Sequence, residues 1–81
     1  MAVTTVELTS VILFHRKQAK LSRADLSRIA GVGKTTIYDV EHGKATVRLD
    51  SLLRILKVLN VRLDWSSPLR EAYEARARLR S

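Results

Sequence analysis

Residues 22–43, SRADLSRIAGVGKTTIYDVEHG, contain two short amphipathic segments separated by a glycine. Ser22 is a good helix N-cap, and Asp25 three residues later completes a short variant of the capping box. The apolar face of the first segment stops at Gly31, which predicts a helix of about two turns. The second segment ends at Gly43, and glycine commonly follows a helix C-terminus. The stretch therefore predicts two short helices joined through a tight turn.

The apolar spacing of these two segments predicts a close helix crossing. Leu26 and Ala30 are expected to face Ile37 and Val40, and Gly31 lets the chain turn without strain at Cβ. Such a crossing leaves the N-terminal half of the second helix protruding. A protruding helix of this kind can enter a DNA major groove, which is about 12 Å wide.

The exposed side of the second helix carries groups that can contact base edges. A lysine can donate to guanine O6 and N7, a threonine can contact a thymine methyl, and an aspartate can accept from cytosine N4. The predicted base contacts are Lys34, Thr35, Thr36 and Asp39. Cationic or hydroxyl groups around them are candidates for phosphate contacts, and Tyr38 is open to a second interpretation as a partly buried ring. The predicted phosphate contacts are Arg16, Lys17, Arg23, Tyr38 and Lys44.

The composition indicates a small, strongly basic single domain. The chain has 81 residues, a formal net charge of +7, no cysteine and two histidines. A domain of this size buries only roughly 60% of the surface of its unfolded chain, and neither disulfides nor a metal site can add stability. Oligomerisation is the remaining source of stability. The charge favours a polyanionic partner, although it is also compatible with a protein that is merely kept soluble.

The rest of the chain adds two more predicted helices to an all-α fold. Leu8, Ile12 and His15 recur at helical spacing before the first segment. The fourth helix has too many apolar residues for one core-facing stripe, so we expect it to pack on two sides. These residues are Leu49, Leu52, Leu53, Ile55, Leu56, Val58 and Leu59.

Residues 61–65 alternate apolar and polar side chains, which predicts a short β-strand. The chain offers no second strand to pair with it, so the expected partner is the same strand of a second copy. The predicted homodimer interface comprises Leu56, Leu59, Val61, Leu63 and Trp65. The expected organisation is an N-terminal extension at 1–7, a DNA-binding domain at 8–60, the dimerisation strand at 61–65, and a tail at 66–81 that is either helical or disordered.

The chain resembles the Cro/C1-type, or XRE, helix-turn-helix family over roughly residues 8–59. Family members look like L-T-Q-x-x-L-A-x-x-x-G-V-S-x-x-T-I-S-x-x-E-x-G, and the matching positions here are Leu21-Ser22-Arg23, Leu26, Gly31-Val32, Thr36-Ile37 and Glu41-His42-Gly43. The resemblance implies a lambda-repressor-like DNA-binding domain of four or five helices that binds double-stranded DNA at an inverted-repeat operator. Arg23 replaces the usual glutamine, Ser27 the usual alanine, and Gly33 the usual serine at an N-cap.

A narrower resemblance lies in residues 43–50, 52–56 and 60–63, which are GKATVRLD, LLRIL and NVRL. They are similar to HipB-type antitoxins. The resemblance implies a protein that dimerises through a C-terminal strand, represses its own operon and pairs with a HipA-type kinase toxin. Exposed contacts for such a toxin are predicted at Phe14 or in residues 69–80, although Phe14 could instead pack under the N-terminal residues.

Other function classes have less support in the sequence. An enzyme is not expected, because the chain has no nucleophile, base and orienting group at a recognisable spacing and no glycine loop for phosphate. No cofactor, metal or membrane partner is expected, and the predicted location is the bacterial cytoplasm, at the nucleoid. Two alternatives remain open. One is a stand-alone repressor without a toxin, and the other is a protein-interaction module whose basic surface neutralises an acidic partner.

Overall fold

The computed structural model describes residues 5–44 and 46–80, and within these ranges it contains five α-helices and no β-strand. The predicted all-α, five-helix architecture is thus confirmed. The first helix begins inside the segment that was expected to be an N-terminal extension, and residues 1–4 lie outside the described residues. The helices are α1 Thr5–Gln18, α2 Arg23–Ala30, α3 Lys34–Glu41, α4 Leu49–Val58 and α5 Arg70–Arg80.

A single apolar core holds the first four helices together. Helix α2 packs against both α3 and α4, and α1 packs against α3. The predicted crossing of α2 and α3 is confirmed, because all four of its apolar side chains are buried. The buried apolar residues are Ile12, Leu26, Ala30, Ile37, Val40, Ile55, Leu56 and Leu59.

The turn between α2 and α3 has the local chemistry that the sequence predicts. The Ser22 hydroxyl accepts from the Asp25 amide, and the Asp25 carboxylate accepts from the Ser22 amide, completing the capping box. Gly31 has φ +72°, in the left-handed region where a side chain would be strained. Gly33 caps α3 without a side-chain hydrogen bond. The hydroxyl of Ser27 adds a bond to the Val32 carbonyl, which explains a serine at the usual alanine position.

Two residues of the predicted dimer interface belong to the core of the single chain. Leu56 and Leu59 are buried against α1–α3 side chains, so they have almost no surface left for a second copy. The structure of the single chain does not support their assignment to the interface, because the packing of α4 directs them inward. Leu49 and Leu53 of α4 are exposed instead.

Residues 61–67 form neither helix nor strand in the single chain. A lone strand has no neighbour to complete its hydrogen bonds, so the predicted pairing of residues 61–65 between two copies stays a prediction. Leu63 and Trp65 are exposed large apolar side chains, while Val61 is half-buried against the core. Of the two alternatives for the tail, residues 70–80 take the helical one.

Candidate nucleic-acid interface

Helix α3 is buried on one side and polar on the other. Ile37, Val40 and Glu41 are buried, whereas Lys34, Thr35 and Tyr38 are exposed. The Thr9 hydroxyl of α1 donates to the Val40 carbonyl at 2.9 Å and helps to hold α3 against the core. The exposed side is therefore presented on a helix whose other side is fixed.

The exposed side of α3 shares a shallow cleft with the start of α2. Arg23, Lys34, Thr35 and Tyr38 line this cleft. The Arg23 guanidinium carbon lies 5.5 Å from the centroid of the Tyr38 ring, and the same ring stacks on His42 with centroids 3.8 Å apart. Two cations, a threonine and a phenol that are gathered on the exposed sides of two adjacent helices are suited to contact phosphates and the edges of bases.

The other two predicted base-contact residues lie on a separate flank of α3. Thr36 and Asp39 line a second cleft together with Lys44 and residues 46–48 and 51. The Lys44 ammonium is 3.5 Å from the Asp39 carboxylate, and the Lys44 amide donates to the Asp39 carbonyl at 2.9 Å. Asp39 thus already has a cationic partner. The structure brings the predicted residues together in two groups rather than on one continuous strip.

A buried carboxylate ties three helices together behind this surface. Glu41 at the end of α3 accepts from Arg16 Nε and Nη2 at 2.5 and 3.1 Å, and from Arg23 Nε at 2.9 Å. Arg16 also donates to the Leu21 carbonyl at 2.9 Å. The polar groups of this cluster therefore satisfy one another although the Glu41 side chain is almost completely inaccessible.

The prediction that Arg16 contacts phosphate is not supported by this geometry. Its guanidinium is buried and committed to Glu41 and to the Leu21 carbonyl. The neighbouring Lys17 is exposed at the surface, so α1 keeps one candidate phosphate contact. Arg23 is both committed to the interior and available at the surface, because its Nε is bound to Glu41 while 44% of its side chain remains accessible.

The electrostatics of Glu41 follow from its two arginine partners. Burial by itself disfavours the charged form, but hydrogen bonds and charges from Arg16 and Arg23 outweigh it and lower the pKa of Glu41 below its ordinary value. Glu41 is thus held ionised, which keeps Arg16 and Arg23 in place at neutral pH.

Sequence reasoning did not identify Glu41 as an anchor or Arg48 as part of the surface. Glu41 coincides with the glutamate of the family pattern, which was the available signal for it. Arg48 lines the cleft beside Thr36 and Asp39, and its exposed guanidinium pairs with Asp50 at 3.1 Å. Its only signal was charge in the loop that follows α3.

The described parts of the chain show neither a metal site nor a membrane-spanning helix. Residues 5–44 and 46–80 contain no group of three or more histidine, cysteine or acidic side chains that could hold a metal ion. None of the described helices is long and apolar enough to cross a membrane.

Comparisons with known proteins identify the family of the chain. A family model described as helix-turn-helix matches residues 15–66. The uncharacterised HTH-type transcriptional regulator y4mF of Sinorhizobium fredii is 31% identical over 65 residues, which cover 80% of this chain and 86% of the relative.

Two solved structures share the fold. One is a complex of a HipB variant with an O2 20-mer, with a TM-score of 0.73, 19% identity, and coverage of 84% of this chain and 94% of that chain. The other is a complex of HipA, HipB, O2 and O3, with a TM-score of 0.74, 18% identity, and coverage of 84% and 96%.

The Glu41 cluster makes a prediction about acid stability. Glu41→Gln leaves Arg16 buried without its counter-charge, so the free energy of unfolding at pH 7 should fall by about 3–5 kcal/mol. Because the pKa of Glu41 is lowered by folding, its contribution is present above its ordinary value of 4.5 and is lost as the pH falls through the folded value. Urea unfolding at intervals of about one pH unit between pH 3 and 7 measures both the loss of stability at pH 7 and its dependence on pH.

Asp50→Asn is the matched control, because it removes an exposed carboxylate from its pair with Arg48 and should lower the free energy of unfolding much less than Glu41→Gln does. The wild type should lose more stability on acidification than the Glu41→Gln variant. Equal costs for the two substitutions, with parallel pH profiles, would show that Glu41 does not anchor the helices.

Proposed function

Because the chain belongs to the XRE-type helix-turn-helix family of DNA-binding transcriptional regulators, we propose that it is a sequence-specific repressor that binds an inverted-repeat operator as a homodimer. We further propose that it is the HipB-like antitoxin of a toxin–antitoxin system and represses its own operon. The observation that carries the proposal is the grouping of Arg23 at the start of α2 with Lys34, Thr35 and Tyr38 on the exposed side of α3.

The proposed roles of these residues follow from their exposure and their partners. Lys34 and Thr35 are exposed at the start of α3, so they are assigned to base edges. Arg23 is anchored through Nε and has further N–H donors, so it is assigned to a phosphate. Lys17, Tyr38 and Lys44 are assigned to phosphates as well. Thr36 and Asp39 are assigned to base edges as well, at the flank of the DNA major groove that α3 enters.

The homodimer is supported by apolar surface that the single chain leaves uncovered. Leu53 of α4 lines an open groove of about 430 Å³ together with Val61 and Leu63. Trp65 is also exposed. Pairing of residues 61–65 between two copies would satisfy their backbone groups and cover this surface, and it would place two α3 helices about a two-fold axis.

The antitoxin role is supported by the shared fold with HipB and by an exposed phenylalanine. Phe14 on α1 is 58% accessible, and its ring contacts only the edge of His15 among the described aromatic rings. It lies on α1, whereas the proposed base contacts lie on α3. A HipA-type kinase could therefore bind at Phe14 without displacing α3 from DNA.

The proposed mode of DNA binding gives distinct expectations for Lys34 and Arg23. Selection from random duplexes should return an inverted repeat whose half-sites lie about 34 Å apart. On that duplex, Lys34→Ala should cost about 1–3 kcal/mol and relax the preference at one base position. Arg23→Ala should weaken selected and random duplexes by similar factors and lower the salt slope by about one.

Fluorescence anisotropy over a salt series measures these changes, with Arg76→Ala on α5 as the control cation that should leave both quantities unchanged. If Arg23→Ala changes base preference while Lys34→Ala weakens all duplexes equally, the two assigned roles are reversed. Absence of any sequence preference in the wild type would favour a protein-interaction module instead.

The proposed dimer is tested by sedimentation of the full chain at micromolar concentration. Leu63→Pro should produce monomers, because proline removes a backbone donor from the strand pair. Leu63→Val is the matched control, since it keeps the donor and a residue that favours strands. A dimeric Leu63→Pro variant would show that residues 61–65 are not the interface.

The proposed toxin is tested by co-expression with any HipA-type kinase encoded beside this chain. Phe14→Ala should reduce capture of the kinase because it removes an exposed aromatic anchor. Ile29→Ala, which truncates a half-exposed apolar residue on α2, should leave capture unchanged. Lack of capture by the wild type would favour the stand-alone repressor, while DNA binding would be unaffected.

A further inference from the structure

Helix α5 has an apolar stripe that the four-helix core does not cover. Leu69, just before α5, and Tyr73 are four residues apart, about one helical turn, and 70% and 61% of their respective surfaces are exposed. Leu79 near the end of α5 is 88% exposed. Helix α5 does not share the close packing that joins α1 through α4. An isolated helix of this length is only marginally stable in water, so a covering surface is required to explain its order.

The start of α5 is fastened to the segment before it. Arg70 donates to the Asp64 carboxylate at 3.0 Å and to the Trp65 carbonyl, and it pairs with Glu74 at 3.2 Å. The Trp65 and Tyr73 rings meet edge to face with centroids 5.4 Å apart. Residues 64–80 therefore form one structural unit, which we term the C-terminal arm.

The groove beside the end of α4 complements the arm in character. Its apolar residues are Leu53, Leu56, Val61 and Leu63, and cationic Lys57 and Arg62 lie among its lining residues. The arm offers an apolar stripe and an exposed acidic residue, Glu71, in the first turn of α5. The apolar floor suits the leucine and tyrosine of the arm. The cationic rim suits Glu71 in the first turn of α5, so Arg76 and Arg78 in the second half of the helix must lie away from that rim.

The proposed strand pairing brings the arm of one copy to the groove of the other. In an antiparallel pair centred on Leu63, residue 65 of one strand lies opposite residue 61 of its mate. Trp65 then lies beside Val61 of the second copy, and Val61 lines the groove. The arm that continues from Trp65 begins next to the groove of the second copy.

We infer that the C-terminal arm is exchanged between two copies of this chain, so that α5 of each copy lies in the α4 groove of the other. The inference rests on the proposed homodimer. Stable specific interfaces bury about 1,200–2,000 Å², which is more than a single pair of five-residue strands covers. Symmetry repeats the arm contact twice, which enlarges the interface and covers both apolar stripes.

The first test is a charge placed in the stripe of the full chain. Leu69→Glu should raise the dimer dissociation constant at least about tenfold. Because Leu69 is largely exposed in the single chain, this substitution should leave thermal unfolding at low concentration nearly unchanged. Ala75→Glu adds the same charge to a different side of α5 from Leu69 and Tyr73 and should leave dimerisation unchanged. Sedimentation equilibrium measures both variants.

The second test uses the absence of cysteine from the chain. Full-length Leu53→Cys and Tyr73→Cys chains carrying different tags are mixed and treated with a short bismaleimide. The exchanged arm should give a heterodimeric product between the two tags. A mixture of Ala24→Cys and Tyr73→Cys chains is the control, because Ala24 lies on α2 away from the groove, and it should give none.

The outcomes separate the inference from the proposed dimer. If the wild type dimerises but Leu69→Glu behaves like Ala75→Glu and the mixed chains do not cross-link, arm exchange is rejected and the strand dimer stands. If a Leu53→Cys/Tyr73→Cys double variant cross-links only within one chain, the arm folds back on its own groove and exchange is rejected. A monomeric wild type rejects the dimer itself, and the exchange with it.

Discussion

The buried ionised carboxylate of Glu41 is the constraint on which the exposed surface of α3 depends. It accepts hydrogen bonds from Arg16 of α1 and from Arg23 of α2 while it lies at the C-terminal end of α3. A charge buried this deeply is tolerated only when its partners are close and its lone pairs are satisfied. The ion cluster therefore specifies the relative positions of three helices, which apolar packing alone would leave less closely defined.

The same cluster links the fold to the surface that α3 presents. Arg23 reaches Glu41 through one nitrogen and lies over Tyr38, so its remaining donors are held near the N-terminal half of α3. A preorganised guanidinium loses less conformational entropy on binding a phosphate than a free surface arginine does. The substitution of arginine for the usual glutamine at this position thus serves both the interior and the exterior of the domain.

The uncovered apolar surface lies in the C-terminal part of the chain, after the residues that form the Glu41 cluster. Leu53, Leu63, Trp65 and the stripe of α5 remain exposed although the core of α1–α4 is complete. A small domain gains limited stability from its own core, and burial of these residues against a second copy would add to it. The same contacts would set the distance between two α3 helices, which determines the operator spacing.

The sequence by itself determined the features that depend on neighbours within a few residues. The Ser22–Asp25 capping box, the left-handed turn at Gly31, and the inward positions of Leu26 and Ile37 follow from local hydrogen bonding and helical spacing. The helix crossing implied by this spacing, together with the resemblance to the helix-turn-helix family, gave the expectation that α3 enters a groove.

Only the tertiary structure decided which charges are available and which apolar residues are left over. Arg16 and Glu41 are 25 residues apart, and no periodicity in either helix indicates that their side chains meet. Leu56 and Leu53 differ by less than one turn of α4, yet one is buried and the other exposed. The outcome depends on how each helix is rotated against its neighbours, and that rotation is set by long-range packing of all four helices together.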